Sequence, residues 1–230
     1  MGELLAETLA IHTSSHAEHY GVFIPRYWEA IKRLNRQPDQ IVILYHESNL
    51  TGFPESVPAE YVSRVKLIET AKEHSAETVN LNIGAADTDW VAFCGLDDQV
   101  FPEAYDELAH IGEAEILVGN VRRSDRSDFM GVWDRELMKT RNTLTALSPY
   151  RKALWDRVGG WPNIRWSDWG FWIKCHMAGV QIAKSANFQA LFDMGLTHLT
   201  DSGYMLNEDI RQAGERELQE FAREVGFVND

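Results

Sequence analysis

The chain has 230 residues, of which 44% are hydrophobic and 25% charged, a composition typical of a folded globular domain and not of a disordered segment. Its 35 acidic and 22 basic residues give a net charge of −13, which argues against broad, non-specific binding to nucleic-acid backbones. Cys94 and Cys175 lie in apolar stretches and are expected to be buried free thiols. The sequence begins with no secretory signal and contains no apolar run of membrane-spanning length, so we expect a cytoplasmic protein without integral membrane contact.

Predicted strands and helices alternate along the chain. Short apolar runs predict strands at residues 9–13, 41–44, 78–81, 90–94, 116–118, 129–133 and 143–147. Apolar periodicity, prolines and caps predict helices that begin near Pro25, Pro58, Pro102 and Ser167, and helices over residues 150–158 and 208–225. The polar segment 120–128 is predicted to be a long functional loop. This alternation predicts an α/β fold with a mostly parallel sheet.

Polar residues follow several of the predicted strands. Thr13 and Ser14 follow the first strand, residues 45–48 follow the second, and Asp97 and Asp98 follow the strand at 90–94. Ligands of open α/β sheets bind beyond the carboxyl ends of the strands, so these positions are candidate binding residues.

Asp97 and Asp98 are the acidic pair best placed for chemistry. A buried strand delivers two adjacent carboxylates to its end, and such hard oxygen donors suit Mg²⁺ or Mn²⁺ bound to a diphosphate. The alternative is structural, because Asp98 is also placed to cap a helix that begins at Pro102.

Two ordered blocks of sequence carry a family resemblance. The first contains Asn82, Gly84, residues 90–93, the Asp97–Asp98 pair and Pro102, and the second contains Gly159, Gly160, Trp161, Pro162 and then Ser167, Asp168 and Trp169. Together they resemble the family-2 glycosyltransferases over roughly residues 8–205. The resemblance implies a GT-A (Rossmann-like) mixed, mostly parallel sheet flanked by helices, in one domain over residues 1–205. Residues 206–230 would then form a C-terminal helix packed on that domain.

The resemblance also implies a metal site. The acidic motif of the family falls on Gly95, Asp97 and Asp98, and a late histidine of the family falls on His198. Asp97, Asp98 and His198 are therefore the expected ligands of Mn²⁺ or Mg²⁺ on the donor diphosphate. Gly95 stands where the family has its first acid, and this departure leaves the contact with the donor ribose open.

The catalytic base of the family falls on Asp168. In the first turn of a predicted helix, the helix dipole would favour the ionised carboxylate, which can accept a proton from an acceptor hydroxyl. The family reaction inverts the sugar configuration. The alternative is that Asp168 only stabilises its helix.

The nucleotide end of the donor is assigned to five residues: Thr13, Ser14, Glu47, Asn82 and Trp161. Glu47 is a candidate acceptor for the uracil imino proton, and Trp161 is a candidate for stacking on a sugar or base. The resemblance thus implies a hexosyltransferase that uses a nucleotide-sugar donor, expected to be a UDP-sugar. The acceptor stays open among a glycan, a small molecule and a hydroxylated nucleobase, so a nucleic acid enters only as acceptor.

Two other classes of protein remain as alternatives. A nucleotidyltransferase would share the strand-end carboxylates and the metal, but residues 14–19 lack the glycine-rich basic loop that it needs. A non-catalytic nucleotide-sugar-binding protein is supported by Gly95 and by the altered segment at residues 45–48.

Overall fold

The computed structural model describes residues 7–15, 23–46, 56–71, 75–125, 127–192 and 208–228. Within these residues nine strands form one sheet: β1 (Leu9–Ser15), β2 (Gln40–His46), β3 (Val65–Thr70), β4 (Trp90–Phe93), β5 (Gln99–Val100), β6 (Ile116–Arg123), β7 (Phe129–Met130), β8 (Tyr150–Arg151) and β9 (Ile182–Phe192). The strand order is β3-β2-β1-β4-β8-β6-β9-β5, and β7 pairs with β6.

The sheet is mixed, with its longer strands parallel. β1 pairs in parallel with β2 and β4, β2 pairs in parallel with β3, and β6 pairs in parallel with β9. The short strands β5, β7 and β8 are antiparallel to their neighbours. The predicted mixed, mostly parallel sheet is confirmed. Because β1, β2 and β4 run in one direction, their carboxyl ends lie at the same edge.

Six helices flank this sheet in the described part of the chain: α1 (Ile24–Arg33), α2 (Ala76–Gly84), α3 (Arg135–Met138), α4 (Lys152–Val158), α5 (Ser167–Met177) and α6 (Glu208–Glu224). The start of α2 is fixed by a capping box between Ser75 and Thr78. α4 ends at Gly159, whose φ of 72° is the left-handed conformation that glycine adopts without strain. None of the helices in the described ranges is long and apolar enough to cross a membrane.

The core lies on both faces of the sheet. On one face, Tyr27, Trp28 and Ile31 of α1 pack with Ile11 and other apolar strand residues. On the other face, residues of α2, α5 and α6 pack together, including Val79, Phe171, Trp172, Leu218 and Ala222. The C-terminal helix α6 thus contributes to the same core as α5.

The helix predicted to begin at Pro58 is wrong. Residues Ala59–Tyr61 form a single 3₁₀ turn, and Val65 and Ile68 belong to β3. Their spacing is helical and puts them on opposite faces of a strand, but β-branched side chains pack well in a sheet and β3 covers the open edge of β2.

The strand predicted at residues 78–81 is also wrong, because these residues lie in α2. The cap at Ser75 fixes the helix start, and burial of Val79 and Ile83 at helical spacing stabilises it. The apolar residues are too few for periodicity alone to separate the two states.

Further differences concern the second half of the chain. The predicted loop at residues 120–128 begins with the end of β6, which pairs with β7, and residues 143–147 form no strand. The helix expected from Pro102 reduces to turns and a 3₁₀ segment at Asp106–Ala109. Trp166, and not Ser167, holds the cap position of α5, and β9 was not predicted.

Candidate functional site

Thr13, near the carboxyl end of β1, contacts Asn82 of α2 beside the end of β4. The Cys94 backbone N–H donates to the His12 carbonyl at 3.0 Å, which extends the pairing of the two strands to this end. From α2, the Asn82 side-chain amide donates to the Thr13 carbonyl at 2.8 Å. Both residues are buried, and within the described residues the Thr13 hydroxyl and the Asn82 side-chain carbonyl have no hydrogen-bond partner. Buried polar groups of this kind are rare in proteins unless a ligand or water completes them.

The structure places the other predicted ligand-binding residues in different surroundings. Ser14 is buried on β1 beside Thr13. Glu47 and His198 lie outside the described residues. Trp161 is 6% exposed, its ring stacks on Phe171 at 5.6 Å, and its indole N–H donates to the Tyr150 hydroxyl at 3.1 Å. Trp161 is therefore a core residue, and the prediction that it stacks on a ligand is corrected.

Asp97 and Asp98 converge on Gly95. A Cβ added at Gly95 would lie 2.8 Å from an oxygen of each carboxyl, so these oxygens approach the same point. The Gly95 backbone N–H donates to Asp98 Oδ2 at 2.9 Å, and the Asp98 N–H donates back to the Gly95 carbonyl at 3.1 Å. Asp98 thus stabilises its own turn, and the alternative role as a cap of a helix at Pro102 is not what the structure has.

Burial dominates the electrostatics of this acidic pair. It raises the pKa of Asp98 to about 8, and the neighbouring Asp97 carboxyl adds to that shift. Burial also raises the pKa of Asp97, while the Arg26 guanidinium acts in the opposite direction on both groups. A cation placed between the two carboxyls would favour their ionised forms.

The chemistry of this pair fits a divalent metal. Two carboxyl groups supply the hard oxygen ligands that Mn²⁺ and Mg²⁺ prefer, and the missing side chain at Gly95 leaves the space between them open. Within the described residues no group of three histidine, cysteine, aspartate or glutamate side chains is placed to hold a metal. The remaining ligands would therefore have to come from a donor phosphate or from residues outside the described ranges.

Asp168 lies in the first turn of α5, half-buried. The Asn142 side-chain amide donates to Asp168 Oδ2 at 2.7 Å. Burial raises the pKa of Asp168, and hydrogen bonds from the Trp169 backbone and from Asn142 oppose this rise. The carboxyl is thus held in one orientation while its proton affinity is increased, which suits a general base.

Asp98 and Asp168 line two different cavities. The small cavity, of about 180 Å³, places Asp98 among apolar side chains that include Phe93, Phe129 and Phe192. The large cavity, of about 1160 Å³, contains Asp168. Residues 139–142 line the large cavity and residues 145–147 line the small one, so a single chain segment connects the two.

The sequence analysis did not predict a role in the site for Arg26 or Asn142. Arg26 of α1 acts on the acidic pair across more than 70 positions of sequence, and Asn142 binds Asp168 across 26 positions. Neither residue lies in a local motif, so only the folded chain identifies them.

Solved structures share this architecture. The chain aligns with TarS from S. aureus in complex with UDP-GlcNAc at a TM-score of 0.63 and 13% identity, over 81% of this chain and 58% of that one. It aligns with mannosyltransferase PcManGT from Pyrobaculum calidifontis, in complex with GDP-Man and Mn²⁺, at a TM-score of 0.61 and 13% identity, over 96% of this chain and 74% of that one. The chain has a GT-A fold.

The GT-A fold expected from the sequence blocks is therefore confirmed at the level of architecture. A further TarS structure, of residues 1–349, aligns over 96% of this chain and 72% of that one, with a TM-score of 0.65 and 12% identity. The chain matches no protein-family model. A search of curated proteins gives no significant match. At such low identity the GT-A fold positions the site residues, and their roles rest on the chemistry described above.

Proposed function

We propose that the chain is a metal-dependent glycosyltransferase that moves a sugar from a nucleotide-diphosphate donor to an acceptor hydroxyl. The observation that carries this proposal is the convergence of two desolvated carboxyls on Gly95, at the edge of the sheet where Thr13 and Asn82 also lie. Similar structures hold UDP-GlcNAc, or GDP-Man with Mn²⁺. A UDP-sugar is the expected donor, and a hexosyl group is the expected transferred group.

Each residue has a defined role in this proposal. Asp97 and Asp98, with His198, would hold Mn²⁺ or Mg²⁺, which when bound neutralises charge on the leaving diphosphate. The hydroxyl of Thr13 and the side-chain carbonyl of Asn82, which have no partner among the described residues, would bind the nucleoside, together with Ser14 and Glu47. The orienting hydrogen bond from Asn142 would aim the Asp168 carboxylate at the acceptor.

The proposed reaction is a single displacement. The acceptor oxygen forms a bond to the anomeric carbon while the bond from that carbon to the diphosphate oxygen breaks, and the bonding electrons leave with the nucleoside diphosphate. Asp168 takes the acceptor proton. Attack opposite to the leaving group inverts the anomeric configuration.

The test is a thermal-shift screen of nucleotide sugars with and without Mn²⁺. A ligand present far above its dissociation constant should stabilise the fold by about 3 kcal/mol. We expect one donor to raise Tm only with Mn²⁺, and Asp97→Asn to remove that shift. Asp87→Asn, which changes an exposed aspartate, is the matched control. A folded protein that responds to no donor would contradict the proposal.

Gly95 favours a second candidate, a non-catalytic nucleotide-sugar-binding protein. The site lacks the first acid of the family motif, so donor binding without turnover is consistent with it. Release of nucleoside diphosphate from the stabilising donor, dependent on Mn²⁺ and on Asp97, would eliminate this candidate.

A further inference from the structure

The large cavity is built by three parts of the chain that meet around Asp168. Trp166, Asp168 and Trp169 come from the start of α5, and residues 139–142 come from the turn after α3. One side of α6 closes it with Gln212, Arg216, Gln219 and Arg223, whose spacing of three and four places them along one stripe of the helix.

The charge of this lining differs from the charge of the protein. Five basic side chains line the cavity, although the whole chain carries a net charge of −13: Lys139, Arg141, Arg211, Arg216 and Arg223. The acidic residues there are Asp168, Glu215 and Glu220. The cavity is therefore a basic region on an acidic protein, and it would attract anions that other surfaces of the chain repel.

Three of the five cations are not neutralised within the described residues. Arg211 pairs with Glu208 and Glu215, and Lys139 pairs with Glu136 at 2.8 Å. The guanidinium groups of Arg141, Arg216 and Arg223 have neither an ion pair nor a hydrogen bond to any other described residue, and all three side chains are exposed. Guanidinium groups bind phosphate oxygens in bidentate geometry, so they are suited to a ligand that carries phosphate.

We propose that the large cavity binds an acceptor that carries a phosphate group near the hydroxyl that receives the sugar. Asp168 lies in the same cavity, so the phosphate on the arginines would hold the neighbouring hydroxyl at the carboxylate. The Trp166 and Trp169 rings offer apolar surface for the carbon skeleton of the acceptor. The volume of about 1160 Å³ accommodates an acceptor larger than one sugar. This inference rests on the proposed function, because it assigns the second substrate of the same site.

The test uses ¹⁹F NMR of the protein labelled with 5-fluorotryptophan, with Trp166 and Trp169 assigned through Trp→Phe variants. The phosphate-bearing probes are inorganic phosphate, glycerol 3-phosphate and glucose 6-phosphate, and the uncharged probes are glycerol and glucose. We expect at least one phosphate ester to move the two resonances at concentrations at least tenfold lower than its uncharged parent. Added NaCl should weaken this effect.

Two variants separate cavity binding from other causes. Arg216→Ala with Arg223→Ala should reduce the affinity for the phosphate ester at least tenfold, while Lys184→Ala, an exposed lysine on β9, should leave it unchanged. The proposal is overturned if no phosphate probe moves either resonance, or if the double variant binds the ester as the wild type does. Donor binding is measured on the wild-type protein with Mn²⁺. A wild type that binds a phosphate ester but no donor counts against the proposed function, and a wild type that binds a donor but no phosphate ester counts against this inference.

Discussion

The carboxyl edge of the sheet that carries Thr13, Asn82, Asp97 and Asp98, called the donor edge below, differs from the large cavity in how its polar groups are paired and solvated. At the donor edge Thr13 and Asn82 are almost fully buried, and a polar atom of each has no partner within the described residues. In the large cavity Asp168 is hydrogen-bonded to Asn142, and Arg216 and Arg223 stay exposed to water. An unpaired buried polar group costs about 1–3 kcal/mol, whereas an exposed charge costs little. The polar atoms of Thr13 and Asn82 are thus held ready for a ligand at a cost in folding stability. The charged side chains of the large cavity stay hydrated until a ligand binds.

The largest expected effect follows a change in the large cavity. Asp168→Asn keeps the side-chain shape but removes the proton acceptor, so we expect turnover of the donor to fall by roughly 10²–10⁴-fold. Donor binding in the thermal-shift assay should stay unchanged. Because burial raises the pKa of Asp168, wild-type turnover should rise with pH through a pKa above the usual value for aspartate. Equal turnover in variant and wild type would remove Asp168 from the mechanism.

An intermediate effect is expected at the donor edge. Thr13→Val replaces a buried hydroxyl that has no partner among the described residues by a methyl group, so the free energy of unfolding should increase by about 1 kcal/mol. The same change should weaken binding of the nucleoside diphosphate about tenfold, or about 1.4 kcal/mol, because the hydroxyl no longer meets the nucleoside. Urea denaturation and titration calorimetry with UDP and GDP measure the two quantities.

Thr143 provides the matched control for this opposition between folding stability and nucleotide affinity. Its hydroxyl is also buried without a partner in the described part of the chain, but Thr143 lines neither of the two cavities. Thr143→Val should therefore raise stability and leave nucleotide affinity unchanged. If Thr13→Val stabilises the protein without weakening nucleotide binding, the donor edge has no preorganised role.

An effect that is confined to acidic pH and absent at neutral pH concerns His12, which is buried on β1 and makes an edge contact with Phe93. Burial lowers the pKa of His12 to about 3, below the ordinary value of 6.5. The unfolded chain therefore binds a proton that the folded chain rejects. This contribution to stability is fully present above about pH 6.5 and is lost as the pH falls towards 3, by at most about 1.4 kcal/mol per pH unit.

His12→Leu removes the buried imidazole and should flatten the dependence of unfolding free energy on pH between 3 and 6.5. The control is His110→Leu, since His110 is exposed. Urea denaturation at several pH values gives the slope for each protein. An unchanged slope in His12→Leu would show that another group dominates acid unfolding.

The sequence predicted best where a local pattern decides the structure. Four apolar residues in a row at 41–44 identified β2, and two glycines at 159–160 identified the end of α4. The helical spacing of Tyr61, Val65 and Ile68 gave a wrong prediction because pairing with the open edge of β2, which a local pattern does not show, makes residues 65–70 a strand.

In the candidate site, too, residues in local sequence blocks were predicted and residues set by distant contacts were not. Asp97, Asp98 and Asp168 were found because each stands in a local block of sequence, and the structure places Asp98 and Asp168 beside cavities and Asp97 next to Asp98 at Gly95. Trp161 stands in a similar block, yet its ring lies in the core, since sequence spacing does not reveal which way a side chain points. Asn142 and Arg26 depend on contacts between distant segments, which no local pattern encodes.

The position of α6 separates the residues proposed to bind the acceptor from those proposed to bind the donor. More than half of the residues that line the large cavity come from this helix, while the acidic pair, Thr13 and Asn82 all lie before residue 100. Mutations on the exposed stripe of α6 can therefore alter one specificity without disturbing the other. Under the proposed function, a lineage with this scaffold changes its acceptor by substitutions in α6 and keeps its donor.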